Sequence, residues 1–175
     1  MNPSAWVMRF TPLVGDAGPV LDVACGGGRH TRWFRAQGHS VIAVDRDLSA
    51  VGDLADDPDV DLVELDLEAG VPLPVSSASC AAVVVTNYLW RPLLDELVRV
   101  LAPGGVLVYE TFAVGNERYG RPTNPDHLLR RGELLDVARK HDLEVVAYED
   151  VVVDEPRPAA VQRIAATRGA GRLSR

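Results

Sequence analysis

Lysine is nearly missing from this 175-residue chain: of its 18 basic residues only Lys140 is a lysine, and the rest are arginines. Against them stand 25 acidic residues, so the net charge is −7. A broad surface for duplex nucleic acid is thereby disfavoured, because such surfaces cluster positive charge against phosphates. A local basic patch stays compatible with that balance. Cysteine is also scarce. Cys25 and Cys80, the only two, make neither a disulfide framework nor a zinc site, and no other metal site is expected. Long apolar runs are lacking too. The run Ala81-Ala82-Val83-Val84-Val85 is far short of the roughly 20 residues that cross a bilayer. Met1 to Val14 has no basic leader and is interrupted by Pro3 and Pro12, so a signal peptide is not expected and the cytoplasm is the expected compartment. There is no internal repeat and no low-complexity segment. The composition that remains is 47% hydrophobic and 25% charged, an ordinary globular balance that excludes disorder, collagen and coiled coil. The length fits one domain spanning residues 1–175.

Short β-branched runs alternate with helical patterning. Strands are expected at Val20 to Ala24, Val41 to Asp45, Val60 to Leu65, Ala81 to Thr86, Val106 to Glu110 and Leu143 to Tyr148, with a weaker seventh at Val161 to Ala166. Helices are expected at Arg29 to Gln37, Leu48 to Ala55, Pro92 to Leu101 and Pro125 to Lys140. In the last of these, Leu128, Leu129, Leu134, Leu135 and Ala138 form an apolar stripe. Continuous apolar strands between helices imply a sheet covered on both faces. The expected fold class is therefore α/β, a doubly wound, mostly parallel, Rossmann-like sheet. Ligands of such sheets bind beyond the carboxyl ends of the strands, where the strand order reverses. In that arrangement Cys25 follows one strand and Cys80 begins its neighbour. Strand rise separates them by roughly 16 Å, whereas a bridge needs Cα atoms within about 7 Å. Both should be free thiols. The acidic run from Asp53 to Asp61 reads as a solvated helix end and loop.

The sharpest local signal is Leu21-Asp22-Val23-Ala24-Cys25-Gly26-Gly27-Gly28-Arg29-His30, which leaves a strand and opens a helix. Its glycines let the backbone turn tightly and approach a ligand, and the helix N-terminus beyond favours negative charge. A dinucleotide turn would need a small residue at position 31, where Thr31 stands after the bulky Arg29 and His30. The fit to a pyrophosphate is poor.

These residues resemble the glycine motif of class I S-adenosylmethionine-dependent methyltransferases, acidic-x-Gly-x-Gly-x-Gly, with Ala24 in place of the first glycine. The resemblance runs from about Val20 to Ala166, because later motifs come in order. It implies S-adenosyl-L-methionine as cofactor, held by Asp22, Ala24, Cys25, Gly26 and Gly28 of the loop. Asp45, at the end of the second strand, would take the ribose hydroxyls as an acidic residue does in dinucleotide folds. The alternative is a helix-capping Asp. Arg46 could lie along the adenine. Asp66 and Leu67 occupy the places that meet the adenine amino group and ring, or else an ordinary turn. Asn87 would contact the cofactor's amino group through its backbone carbonyl. Leu101-Ala102-Pro103-Gly104-Gly105-Val106-Leu107 matches the family's helix-to-fifth-strand signature and carries no chemistry.

Methyl transfer needs chiefly geometry and a dry site, so no marked catalytic residue is required, and none is assigned. Cytosine C5 chemistry would need a Pro-Cys after the fourth strand, which neither cysteine supplies. Asn87-Tyr88-Leu89-Trp90 keeps the Asn of the amine methylases' Asn-Pro-Pro-Tyr pattern but has neither proline. Tyr88 and Trp90 are candidate pocket walls, or core. The segment 110–125 is the candidate substrate loop, with Glu110, Phe112, Arg118, Tyr119 and Arg121 as candidate contacts. Its two arginines suit an anionic acceptor, and it could close over a substrate and expel water. It could also be a plain surface connection. His127 is a candidate base or simply an exposed histidine. This stretch resembles small bacterial methyltransferases, including the tellurite-resistance group, which act on small anions or metalloid compounds. Residues 1–18 are the only other segment from which to build a cap, so a small-molecule acceptor is expected, with no membrane or nucleic-acid partner. The oligomeric state is left open. Two rivals stay in view: a non-catalytic S-adenosylmethionine-binding module and a nicotinamide-dependent oxidoreductase.

Overall fold

The computed structural model describes residues 2–169; Met1 of the expected cap segment and residues 170–175 of the expected domain lie outside that range. Seven strands form one sheet in the order β3-β2-β1-β4-β5-β7-β6. These are β1 Val20–Val23, β2 Val41–Asp45, β3 Val60–Glu64, β4 Cys80–Thr86, β5 Leu101–Phe112, β6 Leu143–Val153 and β7 Ala159–Arg168. Strands β1 to β5 run parallel, whereas β7 pairs antiparallel with both β5 and β6. The sheet is mostly parallel, and the reversal of strand order falls between β1 and β4. The seventh strand, weak by pattern, is ten residues long and sits inside the sheet.

Strand side chains alternate between two apolar layers, which is why β4 reads as an unbroken apolar run from Cys80 to Val85. On one face Leu21, Val83, Leu107, Tyr109 and Ile164 pack with helix α3 (Leu94–Arg99) and helix α4 (Glu133–Lys140) through Leu97, Val98, Leu134 and Ala138. On the other, Val20, Val41, Val84, Val106 and Val108 meet helix α1 (Ala5–Phe10) and helix α2 (Arg29–Ala36) through Trp6, Val7, Phe10 and Phe34. Trp6 also donates its indole N–H to the Ile164 carbonyl at 3.1 Å, tying the first helix to β7. Cys25 and Cys80 are both buried and unbridged.

Two expected helices come out differently. Leu48 to Ala55 forms a 3-10 turn, Ser49–Leu54. The Asp47 carboxylate accepts from the Ser49 amide, a local bond that competes with helix, and Gly52 weakens the helical tendency further along. Pro125 to Lys140 is not one helix. A 3-10 turn at Pro125–His127 is followed by an extended stretch, because the Leu129 backbone bridges to Ala113 and its amide donates to Phe112. Gly132, with φ of 70°, then opens α4. Leu128 and Leu129 are still buried, through strand-like pairing rather than a helical stripe. Similarly, Arg91–Leu93 is a 3-10 turn before α3 begins. The Pro103-Gly104-Gly105 segment lies within β5 opposite a register shift on β4. A Cβ at Gly105 would stand 2.8 Å from the Cys80 carbonyl oxygen, so this glycine is required by close approach.

Candidate functional site

At the carboxyl ends of the parallel strands lies a cleft of about 430 Å³. Ala24 follows β1, Asp45 and Arg46 close β2, Asp66 and Leu67 follow β3, and Asn87 and Tyr88 follow β4. Thr111 and Phe112 end β5, and Pro122 and His127 come over from the next loop. Of the residues expected to hold a cofactor, Ala24, Asp45, Arg46, Asp66, Leu67 and Asn87 line this cleft. Of those expected to meet an acceptor, Tyr88 and Phe112 line it.

The floor is set by backbone. Ala24, at the place of the family's first glycine, has φ of 53°, and Asn87 has φ of 55°. Asparagine tolerates that left-handed region; alanine is strained there by about 1–2 kcal/mol. Gly28 caps α2 with φ of 69°, and a Cβ there would stand 2.6 Å from Val51 Cγ1 and 2.8 Å from Arg32 Nη1. The loop is tied to β2 by the Cys25 amide donating to the Val44 carbonyl, 3.0 Å, and the Gly26 amide donating to Asp45 Oδ2, 2.8 Å. Asp45 Oδ1 accepts from the Asp47 amide at 3.2 Å. The carboxylate therefore holds the loop in place and still has lone pairs to offer the cleft. The Asp66 carboxylate accepts from the Glu68 amide, 2.9 Å, which brings Glu68 into the lining as well.

Several expected contacts are placed elsewhere. Asp22 is buried under the loop and accepts from the Thr31 hydroxyl at 2.7 Å. Burial, only partly offset by that bond and by Arg29, pushes its carboxyl up to about 6. The Cys25 thiol faces inward, and burial, with the charges of Asp22 and Asp45, pushes it up to about 12. Such a thiol is inert. Gly26 and Gly28, both at positive φ, turn the loop and are outside the lining. Trp90 packs against the core on the α3 and α4 face. Glu110 turns toward α1: Oε1 accepts from the Ser4 hydroxyl at 2.7 Å, and Oε2 pairs with Arg163 at 3.0 Å. Arg118, Tyr119 and Arg121 are exposed on the loop beyond the cleft.

Leu65, Glu68, Leu89, Thr111 and Pro122 are lining residues that sequence reasoning did not single out. The available signal was position: Thr111 sits beside Glu110 at a strand end, and Glu68 lies two residues past Asp66. His127 reaches the cleft because Arg91 pins its segment. The Arg91 guanidinium donates to the carbonyls of Asp126 and Leu128, 2.8 and 2.9 Å, and pairs bidentately with Glu133. A second tie binds residue 4 to α2: His30 is buried and its Nε2 accepts from the Ser4 amide, 3.1 Å. Burial, with Arg29 beside it, lowers His30 to about 4.

The donor set suits a nucleoside with a cationic arm. Carboxylates of Asp45, Asp66 and Glu68 can take a diol, an amino group or positive charge, and Leu65, Leu67, Leu89, Tyr88 and Phe112 supply apolar walls. The Tyr88 hydroxyl is buried with no hydrogen-bond partner among the described residues, in the field of those same three carboxylates. Among the described residues no cluster of three or more His, Cys, Asp or Glu could hold a metal. No helix among them is long and apolar enough to cross a membrane.

Comparison with known proteins agrees with this geometry. Residues 20–105 match the methyltransferase domain family. Over that stretch, just under half of the chain, it resembles a class I S-adenosylmethionine-dependent methyltransferase domain. The cofactor of that domain class is S-adenosyl-L-methionine. The chain is 35% identical over 144 residues to a demethylmenaquinone methyltransferase of Clavibacter sepedonicus, covering 75% of this chain and 53% of that protein. It thus spans about half the length of that curated relative. Among solved structures, an S-adenosylmethionine-dependent methyltransferase from Mesorhizobium loti superposes with a TM-score of 0.72 at 18% identity, covering 94% of this chain and 99% of the other. TehB from Haemophilus influenzae gives a TM-score of 0.77 at 14% identity, covering 95% and 62%. At these identities the structures speak for the fold alone, including the resemblance to the tellurite-resistance group.

Proposed function

We propose that the cleft binds S-adenosyl-L-methionine and that the domain transfers its methyl group to a small acceptor, with an anionic one favoured by the arginines of the 110–125 segment. The observation that carries this reading is the convergence of Asp45, Asp66 and Asn87 at the ends of three parallel strands, around the strained Ala24. In it Asp45 accepts the ribose hydroxyls, Asp66 and the Leu67 amide meet the adenine, Arg46 lies along the ring, and the Asn87 carbonyl takes the ammonium. Bound there, the cofactor supplies an electrophilic methyl group. The chain supplies the rest: the tied glycine loop fixes the cofactor's place, and Tyr88 and Phe112 exclude water beside it. Asp22, Cys25, Gly26 and Gly28 act by shaping and bracing the loop. The acceptor reaches the cleft past Pro122 and His127, at the face toward which the segment 110–125 projects.

The same reading takes residues 1–175 as one domain wound on both sheet faces, with 1–18 as a cap. Its expected compartment is the cytoplasm, and its partner a small molecule. The test is calorimetric titration with S-adenosylmethionine, S-adenosylhomocysteine and NADH, followed by an acceptor screen. Micromolar binding of the first two and none of NADH is the expected result. Binding of NADH alone overturns it.

A further inference from the structure

Outside the cleft, the strongest unexplained feature is where the unpaired arginines lie. The arginines at 9, 32, 35, 91, 99, 139 and 163 all have carboxylate partners within 4 Å. Among the described residues Arg29, Arg46, Arg157 and Arg168 have none and stand singly on separate elements, whereas Arg118, Arg121, Arg130 and Arg131, which also have none, are grouped and all four exposed. They come from two short stretches that the backbone holds side by side. Leu129 bridges to Ala113, and the Val114 amide donates to the Leu129 carbonyl at 3.0 Å, so Arg130 and Arg131 leave from the base of the loop that carries Arg118 and Arg121. That loop is closed by Asn116, whose side-chain amide donates to the Pro122 carbonyl at 3.2 Å. Two exposed apolar side chains belong to it, Val114 at 57% and Tyr119 at 45%. Glu117 and Asp126 are the acids of the segment, and the Glu117 carboxylate already accepts from the Gly115 amide at 2.8 Å. The segment 114–131 is therefore net positive in a chain of net −7.

We propose that this rim is a docking surface for an acidic carrier protein that presents the acceptor on a tether. It deepens the proposed function and rests on the cleft being the methyl-transfer site. Location favours it, since Pro122 and His127 of the same segment line the cleft, so a partner seated on the arginines has its tethered group at the mouth. Composition favours it too: arginine and tyrosine are the residues on which protein interfaces concentrate their energy. A polyphosphate is the poorer occupant, because two acids interrupt the arginines and break the continuous positive run that a phosphate chain needs. Guanidinium groups pair with carboxylates bidentately, and complementary charge speeds encounter in a salt-dependent way.

The test titrates the full chain with the holo acyl-carrier protein of the same genome, and separately with a single-stranded RNA of mixed sequence, at low and high salt. The expected result is micromolar binding of the carrier, weakened about tenfold or more by raising salt from about 50 to about 300 mM. Arg118→Glu with Arg121→Glu should weaken it by a similar factor, as should Arg130→Glu with Arg131→Glu. Affinity for S-adenosylmethionine, measured on the same samples, should stay within twofold of wild type. No carrier binding, carrier binding indifferent to both double reversals, or tighter binding of the RNA overturns the docking surface. Failure of the wild type to bind S-adenosylmethionine overturns the reading of the cleft instead, so the two failures are told apart.

Discussion

The two halves of the cleft are built by different means. The half formed by β1, β2 and β3 is local: its lining residues end or follow strands, and the glycine loop is tied to β2 by one backbone bond and one bond to the Asp45 carboxylate. The half formed by β5 and the segment after it is assembled from afar. Arg91 pins residues 126 and 128, Gln162 of β7 accepts from the Leu134 amide and donates to the Arg130 carbonyl, and Glu110 is held by Ser4 and Arg163. Side chains distant in sequence thus position the proposed acceptor side, while short-range turns position the proposed cofactor side. A protein built this way can keep one half fixed while the other varies.

The comparison can be broken hardest at Arg91. Its removal leaves Glu133, whose side chain is 14% exposed, without its cation and strips two carbonyls of their donor. Arg91→Ala should cost about 2–4 kcal/mol in denaturant unfolding. Hydrogen exchange should show residues 122–132 loosening more than the glycine loop. If both segments loosen alike, the two halves are not independently held. On the cofactor side, Gly28→Ala should destabilise by about 2–3 kcal/mol, from the left-handed backbone together with the contact at Val51.

Asp45→Ala separates binding from bracing. It should weaken S-adenosylmethionine by about 1.5–3 kcal/mol in calorimetry, the range for a hydrogen bond to a charged group. Unchanged affinity would sink the ribose assignment and leave Asp45 as a loop tie alone.

A pH titration sharpens the contrast within the buried layer beneath the loop. The Asp22 carboxyl is raised from 3.8 to about 6, so the folded state holds that proton longer than the unfolded chain, and stability from this group falls as pH rises through 4 to 6. His30 is lowered from 6.5 to about 4, so the unfolded chain takes the proton first, and stability falls as pH drops through the same window. The two slopes oppose each other. Wild type should change little between pH 4 and 6 on their account. Asp22→Asn should lose stability steeply on acidification, and His30→Gln should gain it. Parallel melting curves for all three proteins would refute the opposed pair.

The smallest effect is expected at the strained alanine. Ala24→Gly should stabilise by about 1 kcal/mol, because glycine takes a φ of 53° without a Cβ clash. A lower melting temperature would mean that the strain is already offset by packing.

Legibility from the sequence divides along the same line. β2 was legible to the residue, and β1, β3 and β4 to within one, because apolar runs between turn residues define them locally. The loop from Asp22 to Gly28 and the strand-end places of Asp45, Asp66 and Asn87 were legible for that reason too. The break of the helix after His127 was not. Leu128 and Leu129 fit a helical stripe, and only the pairing of Leu129 with Ala113, sixteen residues away, selects extended backbone. Glu110 looked like an acceptor contact because it ends a strand; its partners Ser4 and Arg163 lie far away in sequence and turn it the other way. The reach of β5 to Phe112 and of β6 to Val153 likewise depends on the antiparallel β7 between them, and the early start of β5 at Leu101 on pairing with Cys80 of β4.

The bridge between Ala113 and Leu129 has a consequence for how such a protein diversifies. It closes the base of the loop with backbone bonds, so the chain between those two residues can be lengthened, shortened or recoded while the sheet beneath keeps its register. Loops anchored in this way are where new specificities arise on an old scaffold. Grafting a different segment between 113 and 129 is thus the natural way to retarget the domain, for evolution and for the bench alike.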